Sequence, residues 1–111
     1  MLKPETDYVY VITRLDIPAP HISVQIAHAA MAATYSFTKK LRSHPHLCVC
    51  AVSNEEELDK EFNRLKEVGV PCCAWYEDDM GNQLTAVAAA PLRGNKRKPL
   101  RRYKLLPARI E

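Results

Sequence analysis

The sequence predicts one α/β domain in which helices pack on a mixed four-stranded sheet, as a two- or three-layer sandwich in the order β-α-β-α-β-β. Three observations carry this. Apolar runs rich in β-branched and aromatic residues alternate with stretches whose apolar residues recur every three or four positions. Residues that start and end helices stand between them. And 111 residues, 47% apolar and 26% charged, suffice for one core but not for two.

Residues 8–13 (Tyr-Val-Tyr-Val-Ile-Thr) are apolar on both faces, which suits a central strand. Pro18 and Pro20 stop that run, and a proline in the first turn of a helix gives up no hydrogen bond, so a helix is expected over 20–40. Its Ile22, Ile26, Ala29, Ala30, Ala33 and Phe37 form an apolar stripe, with His21, Gln25 and His28 in a polar line opposite. Residues 47–52 read as a second strand. Ser53, with Glu56 three positions on, makes a capping box for a helix ending at Val68 and Gly69. Leu58, Phe62, Leu65 and Val68 share one face of that helix. Residues 70–76 and 83–90 are the third and fourth strands, and the short acidic turn 77–82 makes them antiparallel.

No apolar run approaches the roughly 20 residues of a membrane-spanning helix, so no membrane partner is expected. The N-terminus lacks the basic and then apolar pattern of a secretory signal, which implies a cytoplasmic protein. Cys48 and Cys50, and the adjacent Cys72 and Cys73, match neither a disulfide framework nor a zinc motif and read as reduced, packed side chains. His21 and His28 lie about 10 Å apart along a helix, too far to share one ion, so no metal site is expected. There is no Gly-rich phosphate loop and no nucleophile elbow.

Charge is divided unevenly. Residues 1–92 carry eight Lys or Arg against twelve Asp or Glu, whereas residues 93–111 carry eight against one. The chain therefore divides into a domain, 1–92, and a basic C-terminal extension, 93–111. In the extension Arg93, Lys96, Arg97, Lys98, Arg101 and Arg102 are candidate RNA-binding residues, because such density favours a polyphosphate, although a solvated tail has the same composition. If one of Glu77, Asp78 or Asp79 approached His21, the pair could orient an imidazole and a water for general-base chemistry near neutral pH.

Four stretches together resemble the type 2 peptidyl-tRNA hydrolase superfamily over about residues 8–91. They are Arg14-Leu-Asp16-Ile17 after the first strand, Gln25-Ile-Ala-His28-Ala29 on the first helix, Ser53-Asn-Glu-Glu-Glu-Leu58 at the second helix, and Val68-Gly-Val-Pro-Cys72 entering the third strand. The His44-Pro-His46 stretch, Trp75-Tyr-Glu77 and the basic end resemble a divergent branch of peptidyl-tRNA hydrolase domain proteins. The resemblance implies hydrolysis of the ester joining a peptide to the terminal ribose of tRNA, without a cofactor and often as a homodimer. His21 stands where that superfamily has a site lysine, in a shorter Pro18-Ala-Pro20-His21 loop. Its aspartate corresponds to Glu77 or, with Gly81 aligned, to Asp79, and of its threonine loop only Thr85 remains. The resemblance thus implies His21, Glu77 or Asp79, and Thr85 as catalytic groups, and Arg14, Asp16, Gln25 and His28 as substrate-binding groups. A catalytically silent domain that binds RNA or protein on the same scaffold is the alternative.

Overall fold

The chain, described here from a computed structural model over residues 6–37 and 44–106, folds around a strand buried on both faces. This strand, β1 (Tyr8–Arg14), turns Val9 and Val11 to one side of the sheet and Tyr10 and Ile12 to the other. It is followed by α1 (Ala19–Phe37), β2 (His46–Val52), α2 (Glu55–Glu67), β3 (Cys72–Glu77), β4 (Gln83–Ala89) and β5 (Lys104–Leu105). The strand order is β3-β4-β1-β2-β5. β1 and β2 are parallel, and β4 runs antiparallel to both of its neighbours, β1 and β3.

This order settles the layers. The connection through α1 steps from β1 to β2, while the one through α2 returns past β1 to β3 at the far edge. Crossovers of one hand that run in opposite directions put their helices on opposite faces. α1 packs Ala29 and Ala33 against Val9, Val11, Ala86 and Ala88, small residues that let helix and sheet approach closely. α2 packs Leu58 and Leu65 against Tyr10, Ile12, Leu84 and Val87. The result is a three-layer sandwich. Among the described residues no helix is long and apolar enough to cross a membrane. All four cysteines are free, and burial pushes the Cys50 thiol up to about 11.

Several expectations shift, each for a local reason. The cap of α2 is Asn54 instead of Ser53: its side chain accepts from the Glu57 N–H at 2.9 Å, and the Glu57 carboxylate lies 3.4 Å from the Ser53 N–H. That choice puts Glu55 in the first turn, where its carboxylate accepts from the Leu84 N–H at 2.8 Å. Gly69 takes φ +83°, and the N–H groups of Gly69 and Val70 bond back to the carbonyls of Lys66 and Leu65. This is a Schellman ending, and because it takes up the Val70 N–H, β3 begins at Cys72 instead of residue 70. Val68, at the helix end, is exposed and not part of the buried face. α1 begins at Ala19 and is described to Phe37, so the end expected at residue 40 lies outside the described residues.

The largest difference is a fifth strand, built from the basic segment. Leu92 exchanges backbone bonds with Tyr8, and Arg93 pairs with the buried Asp7 at 3.0 Å. A 3-10 helix, Gly94–Leu100, then sinks Leu100 into the α2-side core. Arg97 lies 3.5 Å over the Tyr8 ring and donates to the Tyr10 hydroxyl at 2.9 Å. Arg64 donates to the Pro99 carbonyl and to the Tyr103 hydroxyl, which in turn donates to Glu61. Burial and the neighbouring Glu61 push Tyr103 up to about 12. Residues 93–106 are therefore packed on the domain, and 107–111 lie outside the described residues. Two well-separated apolar residues among cations, Leu100 and Tyr103, carry this docking, which is why composition alone reads as a tail.

Candidate active site

The carboxyl ends of β1 and β3 and the start of β4 meet at one end of the sheet, beside the first turns of α1. In sheets of this kind the carboxyl ends of parallel strands, where the chain reverses its direction of winding, are the usual place for a ligand. The registers there contain a fault. Trp75 faces Ala86, but Tyr76 faces Leu84, so Thr85 has no partner on β3. Such a bulge re-aims a side chain. It turns Thr85 towards α1, where its hydroxyl donates to Gln25 Oε1 at 2.7 Å and lies 3.3 Å from the Trp75 carbonyl. Gln25 Nε2 in turn donates to Glu77 Oε1 at 3.0 Å.

This chain has a direction. A carboxylate only accepts, so it fixes the Gln25 amide with its nitrogen towards Glu77 and its oxygen towards Thr85. Thr85 and Gln25 are 0% and 2% exposed, so the half-buried Glu77 is the member that meets solvent. The Gln25 hydrogen bond, with smaller help from the Asp79 backbone and the nearby His28, holds the Glu77 carboxyl below the usual range. A carboxyl depressed in the folded state contributes stability that is present above the unfolded value of about 4.3 and is lost as pH falls through the lower, folded one. Titration of the Glu77 side-chain carbon by NMR is therefore expected to give a midpoint below that of free glutamate, and Gln25→Leu is expected to move it upward.

A second network lies behind the first. Arg14, 6% exposed, grips Asp16 through Nε and Nη2 at 2.7 and 2.9 Å. Its Nη1 donates to Gln83 Oε1 at 2.8 Å and to the Leu84 carbonyl at 3.0 Å. Since Glu55 accepts from the Leu84 N–H, both peptide groups of Leu84, the residue just before Thr85, are held by side chains. Hydrogen bonding to Arg14 lowers the Asp16 carboxyl and raises the Arg14 guanidinium further.

The model of the peptidyl-tRNA hydrolase PTH2 family matches residues 6–102, nearly the whole of the described chain. The chain belongs to that family. No curated protein matches it in sequence. Among solved structures it is similar to a protein of unknown function from Agrobacterium tumefaciens strain C58, with a TM-score of 0.58 and 16% identity over 91% of this chain and 98% of that one. That likeness concerns the fold. As a PTH2 domain, the protein has a peptidyl-tRNA hydrolase-like function at the level of the family.

Within the PTH2 domain, the expected site residues fall into three groups. Gln25, Glu77 and Thr85 touch one another, and Arg14 and Asp16 form the clamp behind them. His28 stacks on Trp75 with centroids 4.5 Å apart and planes 6° from parallel, so the Gln25 and His28 part of the polar line of α1 faces the sheet, while His21 stays in solvent. His21 and Asp79 are exposed, and among the described residues neither side chain makes a hydrogen bond. Of the cations, Arg93 and Arg97 are engaged within the fold, whereas Lys96, Lys98, Arg101 and Arg102 are exposed. Glu55, Gln83 and Trp75 complete the site; Glu55 and Trp75 lie in stretches that resemble the family, but none of the three was a candidate site residue. The indole N–H of Trp75 is buried without a hydrogen-bond partner.

Proposed function

We propose that this PTH2 domain hydrolyses the ester between a peptide and the terminal ribose of tRNA, with the half-buried Glu77 as the solvent-side end of a Thr85–Gln25–Glu77 relay. The observation that carries this reading is the relay itself: two buried polar side chains whose only evident work is to orient one accessible carboxylate at the ligand end of the sheet. A carboxylate held as an anion is a weak base but a firm acceptor, so Glu77 holds the attacking water by one of its hydrogens. His21, one helical turn before Gln25, takes the second proton as the water oxygen bonds to the ester carbon. The carbon–oxygen bond to the ribose breaks, and the proton passes to the departing ribose hydroxyl. The reaction consumes water and requires no cofactor. Thr85 acts through Gln25 and is a positioning residue, as are Arg14 and Asp16.

Incubation with N-acetyl-aminoacyl-tRNA is expected to give N-acetyl-amino acid and free tRNA, with His21→Ala slower by about a hundredfold, at the low end of general acid–base effects. Tight tRNA binding without release would instead establish the silent binding domain.

The tRNA backbone meets Lys96, Lys98, Arg101 and Arg102. Neutralising all four is expected to reduce the slope of log affinity against log salt by about three, from roughly 0.7–0.9 per phosphate contact. Arg93→Ala leaves that slope unchanged. In a homodimer, the second copy would cover the outer face of α1, where Val24, Met31 and Tyr35 are exposed and Ala19–Phe37 contains no Asp, Glu, Lys or Arg. A cytoplasmic location fits a peptidyl-tRNA substrate.

A further inference from the structure

β3 is an edge strand. β4 pairs with one side of it, and among the described residues nothing pairs with the other. The phase of the ladder shows which peptide groups are left over. The Ala90 N–H donates to the Pro71 carbonyl at 2.8 Å, which makes this a hydrogen-bonded position of the antiparallel pair. Bonded positions recur at every second residue, so Cys73 and Trp75 exchange bonds with Ala88 and Ala86. The peptide groups of Cys72 and Ala74 then point away from the sheet, each offering one N–H and one C=O.

Proteins blunt such edges with short strands, lysines or prolines. The opposite edge follows that rule, since β5 has two residues and begins at Lys104. β3 does not: its six residues contain no proline and no cation, and its one charge is Glu77, at the candidate active site.

We infer that the free edge of β3 receives the peptidyl part of the substrate as an added sixth strand. This rests on the hydrolase reading and says where the peptide lies. The peptide is esterified through its C-terminal carbonyl, so that end sits at Glu77, the C-terminal residue of β3. The peptide therefore runs parallel to β3, with its N-terminus towards Cys72. At about 3.3 Å per residue the strand accommodates four or five residues of substrate. Recognition by an added strand uses main-chain hydrogen bonds, so it serves peptides of any sequence. A hydrolase that meets unfinished chains of every composition needs that property.

The test is a series of N-acetylated peptidyl-tRNAs with one, three and five residues on the same tRNA, assayed with the full chain. KM is expected to fall about tenfold from one residue to five, as two to four modest hydrogen bonds supply, while kcat changes little. N-methylation of alternate peptide amides is expected to abolish that gain in one phase and spare it in the other, because only every second substrate N–H faces β3. A KM independent of peptide length, or equal loss in both phases, overturns the inference. A second copy paired along β3 would close the edge and give that length-independent result. If the wild type cleaves none of these substrates, the hydrolase reading fails, and equilibrium binding still decides the edge. About tenfold tighter binding of pentapeptidyl-tRNA than of deacylated tRNA supports it, and equal binding overturns it.

Discussion

Glu77→Gln is expected to lower turnover of peptidyl-tRNA by about a hundredfold to ten-thousandfold while changing tRNA affinity less than about twofold. Glutamine keeps the shape of the side chain and removes its charge. The charged acceptor for the attacking water gives way to an amide that presents either a weaker, neutral oxygen or an NH2 donor, and the reason for the Gln25 amide to hold one orientation is lost: an amide facing Gln25 can donate or accept, and the Thr85 hydroxyl then loses its fixed direction. Since Glu77 is half-buried and glutamine keeps its shape, the variant should fold as the wild type does. A fall in kcat without a change in the salt dependence of binding separates loss of chemistry from loss of the RNA surface. Asp79→Asn, at an exposed side chain with no hydrogen bond among the described residues, is expected to leave turnover within about twofold.

Arg14→Ala is expected to cost about 2–3 kcal/mol of stability, read as a urea midpoint shift and a fall in Tm of roughly 10–20 °C. Removing one member of a fully buried ion pair costs about 3–5 kcal/mol, but the Asp16 side chain is 40% exposed and regains water, which brings the figure down. The loss also strands Gln83 Oε1 and the Leu84 carbonyl. Arg14→Lys keeps the charge yet cannot serve Asp16, Gln83 and Leu84 from one ammonium, so it should recover less than half of the stability. Its turnover should fall as well, because Leu84 sets the position of Thr85. An Arg14 that served chiefly as a phosphate contact would give the opposite pattern, with weakened binding and unchanged Tm.

The main elements were legible because local signals and packing agree. The β-branched run at residues 8–13 forms a strand buried on both faces, and Gly69 ends α2 with a positive φ. The mixed sheet and the two helices follow from the alternation of periods. What the sequence could not show depends on residues far apart in the chain. The bulge at Thr85 exists only as a mismatch between two registers, and no residue type announces it. Gln25 looks like a polar residue on an outer helix face until Thr85 and Glu77 supply both of its hydrogen bonds. Glu55 reads as one of three acidic residues at a helix start, a common arrangement, and only the Leu84 N–H distinguishes it from Glu56 and Glu57. The basic segment misleads for a related reason. Its cations outnumber its apolar residues, yet Leu100, Tyr103 and the stacking of Arg97 on Tyr8 decide where it sits.

The relay makes one claim more directly testable than the rest: Gln25 has no solvent-facing role, so its effect on chemistry must come through Glu77. Single-turnover hydrolysis of N-acetyl-aminoacyl-tRNA should be compared for wild type, Gln25→Leu and Gln25→Glu, with folding and tRNA affinity checked for each. The expected result is rapid release by the wild type and a loss of at least about tenfold in both variants at unchanged affinity. Equal rates in all three, or release by none of them despite tRNA binding, would contradict the assignment of this site as a hydrolytic centre.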